Sequence, residues 1–580
     1  MMKTQITKTV CAASLTRQYR FYIIISYYFA ERMLRHILIL NGFCVFFAAS
    51  FSIVVPGPKY PPTKGAIWPK PHEQVKSDKY FEFTPDTLTI TEKGQTCDVL
   101  KAAIERYTNV LEKTYIVADT HSQNTNNVID IKTDVNYQGI LQELQINLTA
   151  PCETYPYLGM DEKYSLDIAA VSTLTSDSIW GVLRGLESFT QLFYIYGYKS
   201  VVIHTTQIVD YPKYTHRGLL IDTSRHYLSV STILKMLDAL EANKMNVLHW
   251  HIVDDQSFPY QSDVFPQLSK AAYDPTLIYT AAVISQIVEY ARFRGIRVLP
   301  EFDVPGHTSS WGIAYPNILT SCYRGSEIVG LGPMDPTKDM TYKVVGDLFR
   351  EVQGRFPDKY FHVGGDEVEL DCWSSNAVIR QFMEDHNMTH TSELHTLFMT
   401  KVIPLLGERS KPIVWQEVFD EGVSLPNGTI VQVWKNTEAW EMRNILLANH
   451  KVIYSASWYL DHIEGGGDWW KYYVVDPREI VAGNVPESKE SDILGGEACM
   501  WGEVTDDNNE ISRVWPRASA VAEALWSGYR NDQRVDMTRW YRQVSEQDHG
   551  VSCRLEEHVC RMNRRGINAQ PPNGPGFCIK

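Results

Sequence analysis

Residues 361–367 read Phe-His-Val-Gly-Gly-Asp-Glu: an apolar run, two glycines and two adjacent acids, Asp366 and Glu367. Glycoside cleavage needs an acid that protonates the leaving oxygen and negative charge near an oxocarbenium-like centre. A neighbouring pair just past a strand can supply both, because loop residues need not point to opposite faces. A single acidic pair is more often a solvated loop. Here two glycines allow a tight backbone turn, and the same setting recurs along the chain. Short apolar runs end in Asp222-Thr-Ser-Arg225-His226, Asp254-Asp255, Glu301-Phe-Asp303-Val-Pro-Gly-His307, Trp415-Gln416-Glu417, Trp434, Trp458-Tyr459-Leu-Asp461 and Trp501-Gly-Glu503. Carboxylates walled by Trp and Tyr, with no serine nucleophile elbow, phosphate loop or metal-ligand spacing, point to sugar chemistry.

These ends need a scaffold that gathers them. From residue 212 onward, short β-branched runs alternate with longer amphipathic stretches, the pattern of β/α units around a parallel sheet. Strands are expected over 218–223, 246–253, 297–302, 360–363, 412–415, 430–434, 451–455 and 493–499. Helical periods fit between most of them, as over 230–243, 281–294 and 342–353. Eight strands in about 300 residues predict an α/β fold, a (β/α)8 TIM barrel whose site sits at the C-terminal strand ends. Residues 212–580 are assigned to this catalytic barrel. Residues 57–211 read as a smaller α+β domain, with strands over 128–131 and 165–171 and a helix over 177–193. That domain carries no convergent set of catalytic residue types and reads as structural support.

At 580 residues the chain suits a barrel plus a smaller domain. Its net charge of −14 argues against nucleic acid or an anionic membrane surface as the main partner. Residues 1–56 read as an N-terminal extension and signal peptide. Met33-Leu-Arg-His36 forms a basic start, 37–55 an apolar run, and Ala48-Ala49-Ser50 a small-residue end. Asn41 and Gly42 interrupt the run, which disfavours a membrane span. The chain is therefore expected to enter the secretory pathway, with no stable membrane insertion after signal removal. Sequons at Asn147, Asn387 and Asn427 agree with glycosylation there. Sequence does not fix how the ten cysteines pair. Cys11 and Cys44 fall in the segment expected to be removed; Cys97–Cys152, Cys322–Cys372 and Cys560–Cys578 are locally reasonable closures of the rest, which leave Cys499 and Cys553 free. No Cys-x-x-Cys occurs, no metal site is expected, and no cofactor is implied.

The blocks 216–227 (His-Arg-Gly-Leu-Leu-Ile-Asp-Thr-Ser-Arg-His-Tyr), 249–255 (His-Trp-His-Ile-Val-Asp-Asp), 301–307, 362–367 and 496–503 closely resemble lysosomal β-hexosaminidases of glycoside hydrolase family 20. The resemblance runs from Trp68 to Cys578. It implies an exo-acting, retaining enzyme that removes terminal β-linked GlcNAc or GalNAc, with the substrate's own 2-acetamido oxygen as nucleophile. It implies Glu367 as acid and then base, Asp366 as partner of the acetamido N–H, and Tyr459 as donor to its carbonyl. It further implies Arg225 on the 3- and 4-hydroxyls, Glu503 on the 4- and 6-hydroxyls, Asp461 as a further substrate-binding residue, and Trp415, Trp434 and Trp501 as walls. Asp254 and His307 would tune the proton affinity of Glu367, although His307 also fits a plain loop histidine, and Trp250 reads as core. A homodimer, or a heterodimer with a second subunit type, and a lysosomal or secreted location follow from the resemblance alone.

Asp461-His462 matches the subunit type that prefers neutral sugars, whereas Gly325-Ser326-Glu327 resembles a loop of the charged-substrate subunit. Two other readings stand beside the main one: a chitooligosaccharide specialist, and a non-catalytic glycan-binding surface protein. An ionised Asp366 beside a protonated Glu367 implies an acidic optimum.

Overall fold

The computed structural model describes residues 63–122, 129–197, 200–435, 438–462, 467–528, 550–572 and 578. The signal-peptide reading at 1–56 lies outside them.

The first layer is a mixed sheet of β1 (Glu73–Phe83), β2 (Thr89–Gly94), β3 (Tyr137–Ile140), β4 (Glu143–Leu148), β5 (Tyr164–Ile168), β6 (Val171–Ser176), β7 (Tyr194–Tyr196) and β8 (Ser200–Asp210). Its order is β2-β4-β6-β5-β8-β1-β3, with β7 on β8. Strict alternation in β5 and β6 turns Leu166, Ile168 and Leu174 toward two helices, Asp98–Ser122 and Ile179–Gln191. Ser178 caps the second helix by accepting from the Trp180 amide.

Two strand expectations need correcting here. Residues 165–171 are not one strand: the chain reverses at Ala169-Ala170, where the Ser172 hydroxyl donates to the Ala169 carbonyl, and β5 and β6 pair antiparallel. Ile131 opens a 3-10 turn over Ile131–Thr133 instead of closing a strand, because the Asp130 side chain captures the Lys132 amide. Val128 lies outside the described residues.

The second layer is a closed parallel barrel of β9 (His216–Asp222), β10 (Val247–Val253), β11 (Arg297–Phe302), β14 (Tyr360–His362), β15 (Lys411–Trp415), β16 (Ile430–Val433), β17 (Lys451–Tyr454) and β18 (Ile493–Met500). All eight expected strands are present, shifted by at most two residues at either end. Between β11 and β14 lies a two-stranded excursion, β12 (Leu319–Arg324) and β13 (Glu327–Met334). The Cys322–Cys372 disulfide ties this hairpin to the short helix Leu370–Ser375 that follows β14. Cys97–Cys152 and Cys560–Cys578 are also closed, and Cys499 and Cys553 are free and buried.

The barrel interior is stratified. Val247, Leu299, Ile413, Ile430, Ile453 and Leu494 form an apolar floor. Leu220, Trp415 and Cys499 pack near the top with Trp434, Tyr459 and Trp501. Histidines and carboxylates fill the level between. The two domains are clamped by Glu162, which pairs with Arg184 at 2.9 Å and with Arg217 of β9 at 2.6 Å, all three fully buried. No helix among the described residues is long and apolar enough to cross a membrane.

Candidate active site

The turn after β14 is built around two glycines. A β-carbon at Gly364 would lie 1.7 Å from Asp303 Oδ1, and one at Gly365 would lie 2.3 Å from Val418 Cγ2. Both take positive φ, and so do Glu367 (φ 49°) and His307 (φ 55°), a conformation side chains rarely adopt. The turn buries Asp366 and leaves the Glu367 side chain 59% exposed in the barrel mouth. His307 Nε2 stands 3.8 Å from Asp366 Oδ2 and 3.7 Å from Glu367 Oε2.

Behind His307 runs an unbroken ladder of alternating rings and acids. His307 Nδ1 donates to Asp254 at 3.1 Å, and His251 Nε2 donates to the same carboxylate at 2.8 Å. His251 Nδ1 donates to Glu301 at 2.9 Å, and His249 Nε2 lies 3.0 Å from it. Glu497 takes His249 Nδ1 at 2.8 Å and His216 Nε2 at 2.6 Å. His362 Nδ1 and the Trp415 indole, at 3.1 and 2.8 Å, also reach Glu301. His249, Glu301 and His362 have the mutual spacing of a metal site, as do Asp254, Asp255 and His307, and Asp303, His307 and Asp366. Within the first group, each Glu301 oxygen already has two ring nitrogens against it.

Burial would strip the protons from these imidazoles, and it prevails at His216 and His362, which are pushed below the usual histidine range, whereas at the other three flanking charges outweigh it. His249 sits at about 9 because of Glu497 and Glu301, and His251 at about 10 because of Glu301 and Asp254. Asp254 and Asp366 hold His307 at about 9. Burial works against the carboxylates too, but the imidazoles outweigh it and hold Asp254, Glu301 and Glu497 well below the usual range. Asp303 is the opposite case. Its burial, and then the charge and hydrogen bond of Asp366, push its carboxyl far up. A protonated Asp303 donates to Asp366 while its other oxygen accepts the Gly365 amide at 2.7 Å.

The rest of the mouth is aromatic and polar. Trp434 and Tyr459 stack at 5.9 Å, and Trp415 and Trp501 lie 6.0 Å apart. Trp434 donates its indole N–H to Glu417 at 3.0 Å, and Lys435 pairs with that acid at 2.9 Å. Arg225 packs 5.0 Å over Trp501 and bridges Asp222 at 3.0 Å and Asp254 at 2.9 Å. Burial raises both the Tyr459 hydroxyl and the Asp461 carboxyl above their usual ranges. Glu503 is exposed at the rim.

Three comparisons bear on this constellation. The profile described as "Glycosyl hydrolase family 20, catalytic domain" matches residues 214–529. The chain belongs to glycosyl hydrolase family 20. A second family profile, "beta-acetyl hexosaminidase like", matches residues 67–192, the layer before the barrel. Human beta-hexosaminidase subunit beta is 42% identical over 524 residues, covering 88% of this chain and 89% of that protein. The mouse subunit alpha is 40% identical over 529 residues, covering 88% and 95%. A Flavobacterium johnsoniae chitobiase structure aligns with a TM-score of 0.71 at 32% identity, over 87% of this chain and 73% of that one.

In this family 20 glycosidase the residues picked out from the sequence as catalytic or substrate-binding lie around one mouth. Asn387 and Asn427 are exposed, and Asn147 is half-buried on β4. Trp250 is core, fully buried with its indole on Thr223. The sequence reading placed Glu301 and Asp303 at a strand end but gave them no role, and it gave none to Glu497. Period-two alternation would have found them, since His249 and His251 occupy alternate β10 positions facing one interior.

Two predictions arise here. An asparagine at position 303 keeps one donor for Asp366 and one acceptor for the Gly365 amide. Asp303→Asn should therefore retain activity within about fivefold, whereas Asp303→Leu should lose at least about tenfold, the scale of a buried hydrogen bond removed. If the asparagine variant is as poor as leucine, Asp303 works as an anion instead. The second concerns pH. Groups raised in the fold stabilise it fully below their unfolded value near 6.5, and this is lost as pH climbs through 9–10. Carboxylates depressed in the fold contribute fully above their unfolded value near 4, and this is lost as pH falls below it. Thermal midpoints should be highest between about pH 4.5 and 6.5 and fall by several degrees toward pH 10. A midpoint still rising at pH 9 would contradict the charged ladder.

Proposed function

We propose that the chain is an exo-acting β-N-acetylhexosaminidase in which the substrate's acetamido oxygen attacks its own anomeric carbon. The convergence of Asp366, Glu367 and Tyr459 inside the ring of Trp415, Trp434 and Trp501 carries this reading. Tyr459 donates to the acetamido carbonyl and Asp366 accepts its N–H, so the nucleophile is held in line. Orientation of that kind offsets up to roughly 7–11 kcal/mol of barrier in model systems. As the new C–O bond forms, the glycosidic bond breaks and Glu367 passes its proton to the leaving oxygen. An oxazolinium-like intermediate results, with Asp366 offsetting its charge. Glu367, now ionised, takes a proton from water, which opens the intermediate with overall retention.

Arg225 grips the 3- and 4-hydroxyls, and Glu503 and Asp461 hold the 4- and 6-hydroxyls. His307, held by Asp254, faces both acids and stabilises whichever is ionised. Turnover of an aryl β-N-acetylglucosaminide by purified protein at pH 4–6 tests the reading; none would end it. The likeness to the chitobiase favours a second reading, a preference for chitooligosaccharides. Relative rates on chitobiose, N-glycan termini and a GalNAc glycoside separate the two.

The similarity to alpha and beta subunits supports a dimer, homomeric or with a second subunit type, which sedimentation would resolve. Three disulfides, the sequons and a fold stabilised in acid support passage through the secretory pathway to a lysosomal or extracellular site. Domain limits at 57–211 and 212–580 are proposed with them, since β8 ends at Asp210 and β9 begins at His216.

A further inference from the structure

Beyond the sugar-binding mouth, a second cavity of about 270 Å³ opens on the far side of Glu367. Its lining comes from four places. Asp255 follows β10, Gly306, His307, Thr308 and Ser309 follow β11, and Glu367 and Glu369 follow β14. Leu331, Gly332 and Pro333 of β13 close the fourth side. That wall is anchored: the Cys322–Cys372 bridge lies directly against Gly332, where a β-carbon would come within 2.6 Å of both sulfurs. The Ser309 amide donates to Asp255 at 2.8 Å and fixes one rim.

The acid that protonates the leaving oxygen must have the leaving group on its open side, and this cavity is what Glu367 faces there. Its size suits one hexose, and no aromatic ring lines it, so a sugar is held by hydrogen bonds and not by stacking. The charge is one-sided. Asp255, Glu367 and Glu369 contribute carboxylates, and His307 is the only basic side chain among the lining residues. His307 is already engaged by Asp254.

We propose that this cavity is the leaving-group subsite, and that its acidic rim selects an uncharged, hydroxyl-bearing sugar over an anionic one. The proposal deepens the hexosaminidase reading and rests on it. Asp255 and Glu369 are exposed, so each acts on a nearby anion through solvent, and the discrimination per charge is modest and salt-sensitive.

The test compares two disaccharides that differ in one group: GlcNAc β-linked to galactose, and GlcNAc β-linked to galacturonate. At low ionic strength and pH 5.5, the ratio of kcat/KM, neutral over anionic, should exceed about fivefold and shrink in 0.5 M salt. Glu369→Gln should lower the ratio, and Glu369→Lys should bring it near unity or invert it. A wild-type ratio near unity, or one that Glu369→Lys leaves unchanged, overturns the proposal. Because the readout is a ratio within each variant, a loss of folded protein cancels. The aryl glycoside serves as a separate control: if wild type hydrolyses it while the ratio fails, only the subsite falls, and if it does not, the enzymatic reading itself fails.

Discussion

Glu367→Gln should remain folded and hydrolyse sugar-linked substrates about 10²–10⁴-fold more slowly, the usual contribution of a positioned general acid. The side chain is mostly exposed and its carboxylate meets only His307, at 3.7 Å, so thermal stability should hold within about a degree or two. The loss should depend on the leaving group. An aryl alcohol departs without much help from a proton, whereas a sugar alcohol needs one. The first step for an aryl glycoside should therefore suffer least, and the penalty should then move to opening the intermediate, where Glu367 acts as base. Equal losses on aryl and sugar substrates would argue against an acid role.

Asp366→Asn makes the complementary case. It keeps the size of the side chain but removes the charge facing the intermediate and offers N–H donors where the acetamido N–H needs an acceptor. A decrease of about 10²–10³-fold is expected, the scale seen when a preorganised electrostatic contact is lost. Here aryl and sugar substrates should fall alike, because the defect lies in the nucleophile and not in departure. Near-normal rates would rule out acetamido participation. The Asp303 pair sharpens the comparison: once Asp366→Asn removes the neighbouring anion, the proton held by Asp303 loses the charge that keeps it there. Asp303 should then titrate lower in the variant, a shift visible by carboxyl-selective NMR or infrared difference spectra.

The two predictions draw on features of unequal visibility in the sequence. All eight barrel strands were legible because each is a short apolar run between amphipathic stretches, and the reactive residues stand at their ends. The partners inside the barrel were harder to see. Glu301 and Glu497 sit within largely apolar strands, and alternation marks them as inward-facing without saying that Glu301 meets three imidazoles and Glu497 two. Asp303 appeared in the strand-end census without a role, since its proton depends on Asp366, 63 positions away in sequence. The β12–β13 hairpin was missed because the expected unit was a strand followed by a helix, whereas the chain inserts a disulfide-anchored arm first. In the first domain, β5 and β6 merged into one reading because both faces alternate in step across a two-alanine turn. Cysteine pairing came out as the local closures suggested, although sequence alone left it open.

The ladder in the barrel interior has a consequence for how such a sequence can drift. Each carboxylate there is shared by at least two rings, and each doubly bonded imidazole by two acids, so one replacement strands charge on both sides of it. Unpaired charge in a dry interior is heavily penalised. A single step away from this arrangement therefore passes through a poorly folding intermediate, while a paired exchange does not. Lineages can vary the rim, the hairpin and the surface almost freely, but the interior changes only by coupled substitutions. Among related chains, ring and acid positions in this layer should be inherited together or lost together, a pattern of covariation that an alignment can count.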